Sequence, residues 1–228
     1  MSEEERARSL IIVQDAFTSY FETDTFAAIL ESLQYLGLRV WLLPFHPNGK
    51  PLHVHGFLKQ FETIAGRHAN RLKSHTKYDI PLVGIDPSMT LAFRSEYRKY
   101  VGPDVPSVLL LQEFLAARIE KISVGFQAPT GAQVTLMGHC SEKTNAAGSM
   151  DHWRYVFEAL GIGVNIEATG CCGMAGTYGH ETRNLETSRA IYELSWGPKV
   201  RKSLENSSPL LATGYSCRSQ VKRFTGVK

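Results

Sequence analysis

The first half of this 228-residue chain lacks cysteine altogether; all four cysteines, Cys140, Cys171, Cys172 and Cys217, fall in the second half. The chain also lacks any run near the ~18 to 20 apolar residues that a membrane-spanning helix requires, and its longest apolar stretches, such as Leu10–Val13 and Val108–Leu111, are strand-sized. A secretory leader is not visible either, because Glu3, Glu4 and Glu5 stand where a basic start and an apolar core would be needed. Excess charge of one sign is missing too: 25 Lys+Arg against 22 Asp+Glu leave a formal +3, too little to imply a polyanionic ligand. These absences predict a cytoplasmic protein with no transmembrane segment and no nucleic-acid partner. There is no GxGxxG after a strand, no GxxxxGK phosphate loop and no nucleophile elbow, so no complete site for hydride transfer is legible in the chain.

What is present is enough for a core. Hydrophobic residues make up 43% and charged residues 21%, close to ordinary globular composition, and the length suits one large domain or two small lobes. Periodicity predicts strands at Leu10–Gln14, Leu38–Leu43 and Pro81–Ile85, alternating with helices at Thr25–Leu36, His55–Lys73, Thr90–Val101 and Ser107–Lys121. Ser123–Gln133, with Gly125, Pro129 and Gly131, reads as a linker. After it the order starts again, with strands at Gln133–Gly138, Ile162–Ala168 and Pro209–Thr213, a helix at Ser149–Leu160 and a span, Glu181–Ser203, that is mostly helix.

Leu36-Gly37-Leu38 matches Leu160-Gly161-Ile162 at an offset of 160 − 36 = 124, and Leu82–Asp86 matches Leu210–Gly214 at 210 − 82 = 128. The expected fold is therefore α/β, with two similar Rossmann-like lobes on mostly parallel sheets, produced by internal duplication. The first lobe spans 9–121 without cysteine, and the second spans 133–228 and carries all four.

Each cysteine follows a predicted strand of the second lobe: Cys140 the first, Cys171 and Cys172 the second, Cys217 the third. In a parallel sheet those carboxyl ends share one edge, where ligands bind in open α/β folds. The loop from Thr169 to His180 contains four glycines, so its backbone amides can approach a bound group closely. A lone free cysteine is usually a small buried hydrophobe. Four on converging loops suggest metal binding, and an all-sulfur donor set favours zinc or iron-sulfur. The adjacent pair Cys171-Cys172 departs from the CxxC spacing usual for zinc and suits a cluster of several iron atoms, with zinc or a metal-free structural role as the alternatives. Gly170, Gly173, His139 and His180 flank the sulfurs as candidate cofactor-binding residues. A mixed site of His46, His53, His55 and Asp86 in the first lobe is a further candidate, as is attraction of an anion by Arg218, Lys222, Arg223 and Lys228.

The strand ending in Cys140, the Gly170-Cys171-Cys172-Gly173 loop and the loop ending in Cys217 resemble the duplicated cysteine-rich CCG domain. That domain occurs in the heterodisulfide reductase B subunit, in iron-sulfur subunits of glycolate oxidase and anaerobic glycerol-3-phosphate dehydrogenase, and at the end of FAD-linked oxidases. The tracts Val13–Tyr20, Leu43–Lys50 and Gly214–Gln220 are most similar to the last group, the FAD and iron-sulfur proteins of the D-lactate and D-2-hydroxyglutarate dehydrogenase type. The resemblance implies an iron-sulfur cluster, of 4Fe-4S type, on Cys140, Cys171, Cys172 and Cys217, with FAD held in a separate domain or subunit of a dehydrogenase partner. The chain would then be an electron-transfer component of a 2-hydroxy acid oxidoreductase; the alternative is a non-redox docking module, with or without zinc. The family's fullest motif has five cysteines, and Gly214 stands where the first of its final pair would fall. In the first lobe the duplication sets Ala16, Pro47, Asn48 and Met89 opposite the four cysteines, which implies scaffolding or docking there.

Overall fold

The computed structural model describes residues 1–122, 125–126, 128–206 and 209–227. The chain divides into two compact units, residues 1–126 and 127–228. The first holds β1 (Ser9–Ile12), β2 (Arg39–Leu42), β3 (Leu82–Gly84) and β4 (Val108–Leu110) in the order β2-β1-β3-β4; the second holds β5 (Gln133–Met137), β6 (Gly163–Glu167) and β7 (Leu210–Ala212) in the order β6-β5-β7. Each described strand pair is parallel. The result is two Rossmann-like lobes, as the alternation of elements implies.

The duplication extends to register. Ile11 pairs with Trp41 and with Leu82; Thr135, 135 − 11 = 124 positions later, pairs with Asn165 and Leu210, at 165 − 41 = 124 and 210 − 82 = 128. These are the two offsets read from sequence. A slip of one residue would turn every side chain of a strand to its other face, so matching register means that corresponding residues occupy corresponding places.

β1 and β3 are buried along their whole lengths, which is why they read as continuous apolar runs without alternation. In the first lobe the helix Leu58–Thr76 presents Phe61, Ala65, Ala69 and Leu72 on one stripe, and they pack with Ile11, Val13, Leu82, Phe93 and Tyr97. In the second lobe Met137, Met174, Tyr192, Trp196 and Val200 form a core that includes Cys172 and Cys217.

Two helix expectations need correction. Val108–Leu110 is the strand β4 rather than the start of a helix over Ser107–Lys121; helix follows only at Leu111–Ala116 and Ile119–Ile122. A four-residue apolar run carries no period that separates a buried strand from a buried helix, and pairing with β3 decides it. The helix expected over Thr90–Val101 is two short ones, Pro87–Leu91 and Glu96–Tyr100, the first started by Asp86. The span Glu181–Ser203 is mostly helix, as expected, in two pieces, Leu185–Glu193 and Trp196–Glu205, which places Pro198 in a first turn, where no intrahelical N–H is required. The expected linker Ser123–Gln133 includes positions 123, 124 and 127, which lie outside the described residues. Among the described residues no helix is long and apolar enough to cross a membrane.

Candidate functional site

At the carboxyl end of β5, His139 caps the helix Cys140–Asn145, its Nδ1 accepting from the Ser141 amide at 3.2 Å, so Cys140 is the first helical residue. Three positions on, as a capping box requires, Glu142 accepts from the His139 amide at 3.3 Å. Glu142 is fully buried and also accepts from Ser149 Oγ at 2.8 Å, from Trp153 Nε1 at 2.9 Å and from the Thr213 hydroxyl. Thr213 follows β7 and receives the His139 amide at 2.8 Å, so this network joins the ends of β5 and β7. Beyond it the helix Tyr215–Thr225 begins, with buried Cys217 in its first turn.

The loop after β6 is held at several points. The Gly170 amide donates to Ser195 Oγ at 2.8 Å and the Gly170 carbonyl accepts from Trp196 Nε1 at 3.1 Å. Lys143 Nζ donates to the Thr169 carbonyl and to its Oγ1, the latter at 2.9 Å. Gly173 has φ 88°, its carbonyl accepts from Ser188 Oγ at 2.8 Å, and Gln220 Nε2 donates to that same Ser188 oxygen at 2.7 Å. The Gly173 amide in turn points at Cys171 Sγ, 3.3 Å away.

The four thiols thereby become neighbours, in the sequence Cys140, Cys171, Cys172, Cys217. Hydrogen bonds from the Cys140 and Cys172 side chains, then from the Gly173 and Ala175 amides, push the Cys171 thiol far below its usual range. Cys140 and Cys172 are pushed up, first by sharing hydrogen with Cys171 and also by burial. Burial lowers Lys143, whose Nζ is bound to Thr169 at the start of the same loop. Among the described residues no group of three or more His, Cys, Asp or Glu side chains is arranged to hold one metal ion. The sulfurs form a chain along converging loops. An all-sulfur donor set favours soft metals over magnesium or calcium.

Of the flanking residues, His139 is 6% exposed, with Nε2 3.0 Å from Ser216 Oγ, whereas His180 is exposed on the short turn Tyr178–His180. A Cβ on Gly214 would lie 2.3 Å from His139 Cδ2. The imidazole thus fills the space that a cysteine side chain at 214 would enter. Sequence reasoning missed Lys143, Ser188, Ser195 and Gln220, whose contacts span 15 or more positions and leave no local signal; Glu142, three residues after a cap, was findable.

The equivalent edge of the first lobe is filled differently. Asn48 Nδ2 lies 3.1 Å from Met89 Sδ, at the positions that correspond to Cys172 and Cys217. Tyr97 Oη donates to the Asn48 carbonyl at 2.8 Å and stands 3.2 Å from His68 Nδ1. The suggested site of His46, His53, His55 and Asp86 does not form. Asp86 caps its own helix, accepting from the Ser88 amide at 3.0 Å and the Met89 amide at 3.1 Å, His46 stacks edge-on against His68, His53 lies between Phe61 and Tyr100, and His55 is exposed.

No family model matches the chain. It is 52% identical over 223 residues to a D-2-hydroxyglutarate dehydrogenase of Pseudomonas putida, covering 97% of this chain and 21% of the relative. It is 41% identical over 228 residues to the D-2-hydroxyglutarate dehydrogenase of Escherichia coli, covering 99% of this chain and 22% of that protein. A more distant likeness, 23% over 223 residues, links 93% of the chain to 54% of one subunit of the anaerobic glycerol-3-phosphate dehydrogenase of Escherichia coli. The chain thus spans about a fifth of the length of the D-2-hydroxyglutarate dehydrogenases it matches.

Proposed function

We propose, from the premise that this chain is homologous to a segment of the D-2-hydroxyglutarate dehydrogenases, that it is the iron-sulfur electron-transfer part of an FAD-dependent 2-hydroxy acid oxidoreductase. The observation that carries this reading is the convergence of Cys140, Cys171, Cys172 and Cys217 on one sheet edge. Cys140 and Cys217 would act as ligands from the first turns of two helices, and Cys171 and Cys172 from the glycine loop. A bound cluster supplies one-electron chemistry at a potential set by its ligands and by hydrogen bonds to sulfur. The Gly173 and Ala175 amides at Cys171 donate such bonds, and the Lys143 ammonium, bound to Thr169, sits at the start of the cysteine loop. His139 positions the Cys140 helix and closes the space at Gly214. FAD and the hydroxy acid would lie in the four-fifths of the dehydrogenase that this chain does not represent. The lobe 133–228 would carry the cluster, and the cysteine-free lobe 9–121 would serve as a scaffold. Cytoplasmic location remains part of the same reading.

Burial of Cys172 and Cys217 in the second lobe's core favours a second reading, a docking module whose thiols pack or hold zinc. Iron and acid-labile sulfide analysis of anaerobically prepared chain separates the two. Iron and sulfide together are expected in the parent, and both should be lost in Cys172→Ser with the fold kept, because serine conserves volume and removes only the ligand. Stoichiometric zinc, or iron unchanged by the substitution, would replace the redox reading with the docking one.

A further inference from the structure

The two lobes act as controls for one another, because residues 124 positions apart occupy matching places in register. At three of four positions around edge strand β2 they differ in one direction. Tyr20, Trp41, Leu42 and Phe45 in the first lobe correspond to Thr144, Asn165, Ile166 and Thr169 in the second, so three large aromatics stand where the copy has small polar residues. Tyr20 is 63% exposed, Trp41 50% and Leu42 46%, and Tyr20 packs edge-on against Phe45 with ring centroids 4.9 Å apart. β2 ends its sheet and is exposed at Arg39, Trp41 and Leu42, whereas the central strand β1 is buried throughout. An outer strand with an exposed Trp and Leu, beside an exposed Tyr, is a surface that proteins ordinarily cover, blunt with charge or use for binding. The shared backbone tolerates polar residues here, as β6 demonstrates, so folding of the lobe does not require the aromatics.

We infer that β2 and the Tyr20–Phe45 corner above its carboxyl end form a docking face, occupied by an apolar surface of the dehydrogenase polypeptide that corresponds to the four-fifths of the relatives outside this chain. The inference rests on the reading that the chain works as a part of such a dehydrogenase. The length of the relatives argues for that occupant: the Pseudomonas putida protein matches this chain over only 21% of its own length, so a much longer polypeptide of the same chain is there to cover an apolar face on this segment.

Hydrogen exchange on two intact proteins tests it: this chain, and the whole Pseudomonas putida dehydrogenase. After correction for intrinsic rates, the segments of the relative aligned with residues 16–21 and 39–45 should exchange at least tenfold more slowly than the same segments in this chain. The segments aligned with 140–145 and 163–169 serve as the internal reference. Equal exchange at the β2 segments in both proteins overturns the proposal. Slowing in this chain alone as its concentration is raised also overturns it, and assigns the face to a second copy. Iron and sulfide content of the same samples is measured separately, so protection without iron would keep the docking face and remove the electron-transfer reading, while iron without protection would do the reverse.

Discussion

Replacement of Gly173 by alanine, with Gly49→Ala as its matched control, asks whether the cysteine loop depends on that one backbone position. The two glycines are 173 − 49 = 124 positions apart, and both sit in the left-handed region, at φ 88° and 76°. Each alanine therefore costs about 1–2 kcal/mol for a conformation that L-residues avoid. Space is where they part. At Gly49 the nearest atom to the new Cβ is Phe61 Cδ2 at 3.0 Å, a side chain that can tilt; at Gly173 it is the Ser188 carbonyl oxygen at 2.2 Å, part of a helix backbone. The loop must then withdraw, loosening the Ser188-to-Gly173 bond and the Gly173-to-Cys171 bond, each worth about 1 kcal/mol net. The sum is about 3–4 kcal/mol for Gly173→Ala against about 1–2 for Gly49→Ala. For lobes of this size, a difference of about 2 kcal/mol lowers the midpoint by roughly 8–16 °C. Calorimetry on both variants reads the midpoints, and thiol labelling reads whether Cys172, 3% exposed in the parent, becomes reactive. Equal midpoint shifts, with Cys172 still protected, would refute the idea that this glycine's close approach to Ser188 holds the loop.

Burial, with smaller effects from His46 and Arg71, pushes His68 down to about 3. The unfolded imidazole binds its proton near pH 6.5, so the folded chain holds full stability above that pH and loses about 1.4 kcal/mol per unit as pH falls from 6.5 toward 3. In His68→Gln, acid denaturation profiles should lose close to one proton of that slope; an unchanged slope would remove His68 as the cause. Gly214→Ala should destabilise the second lobe by roughly 1–3 kcal/mol through overpacking against His139, and adding His139→Ala should recover part of that loss, a coupling that denaturant titration of the double-mutant cycle measures. Additive losses would show that the ring does not occupy the space at 214.

Much of this architecture is local information. Apolar runs of four or five residues separated by helical periods define the strands, and glycines at 37 and 161, both with positive φ, stop corresponding helices. Because parallel strands share one carboxyl edge, placing each cysteine after a strand put all four on that edge, but among the described residues no three of them are grouped to hold one metal ion. Gly49 and Gly173 could be matched by counting residues alone. β4 was not legible, since a run such as Val108–Leu111 becomes strand or helix according to whether a neighbouring strand is there to pair with it. The tertiary structure alone decided that Cys172 and Cys217 are core residues while Cys171 gathers hydrogen bonds from both sides, that the His139 ring stands over Gly214, that Asp86 caps a helix, and that Tyr20 and Trp41 around β2 face water. Each of these depends on which remote residues close around a side chain. Local sequence sets the backbone's preference and direction, whereas burial, charge and available space are set by neighbours that only folding brings within reach.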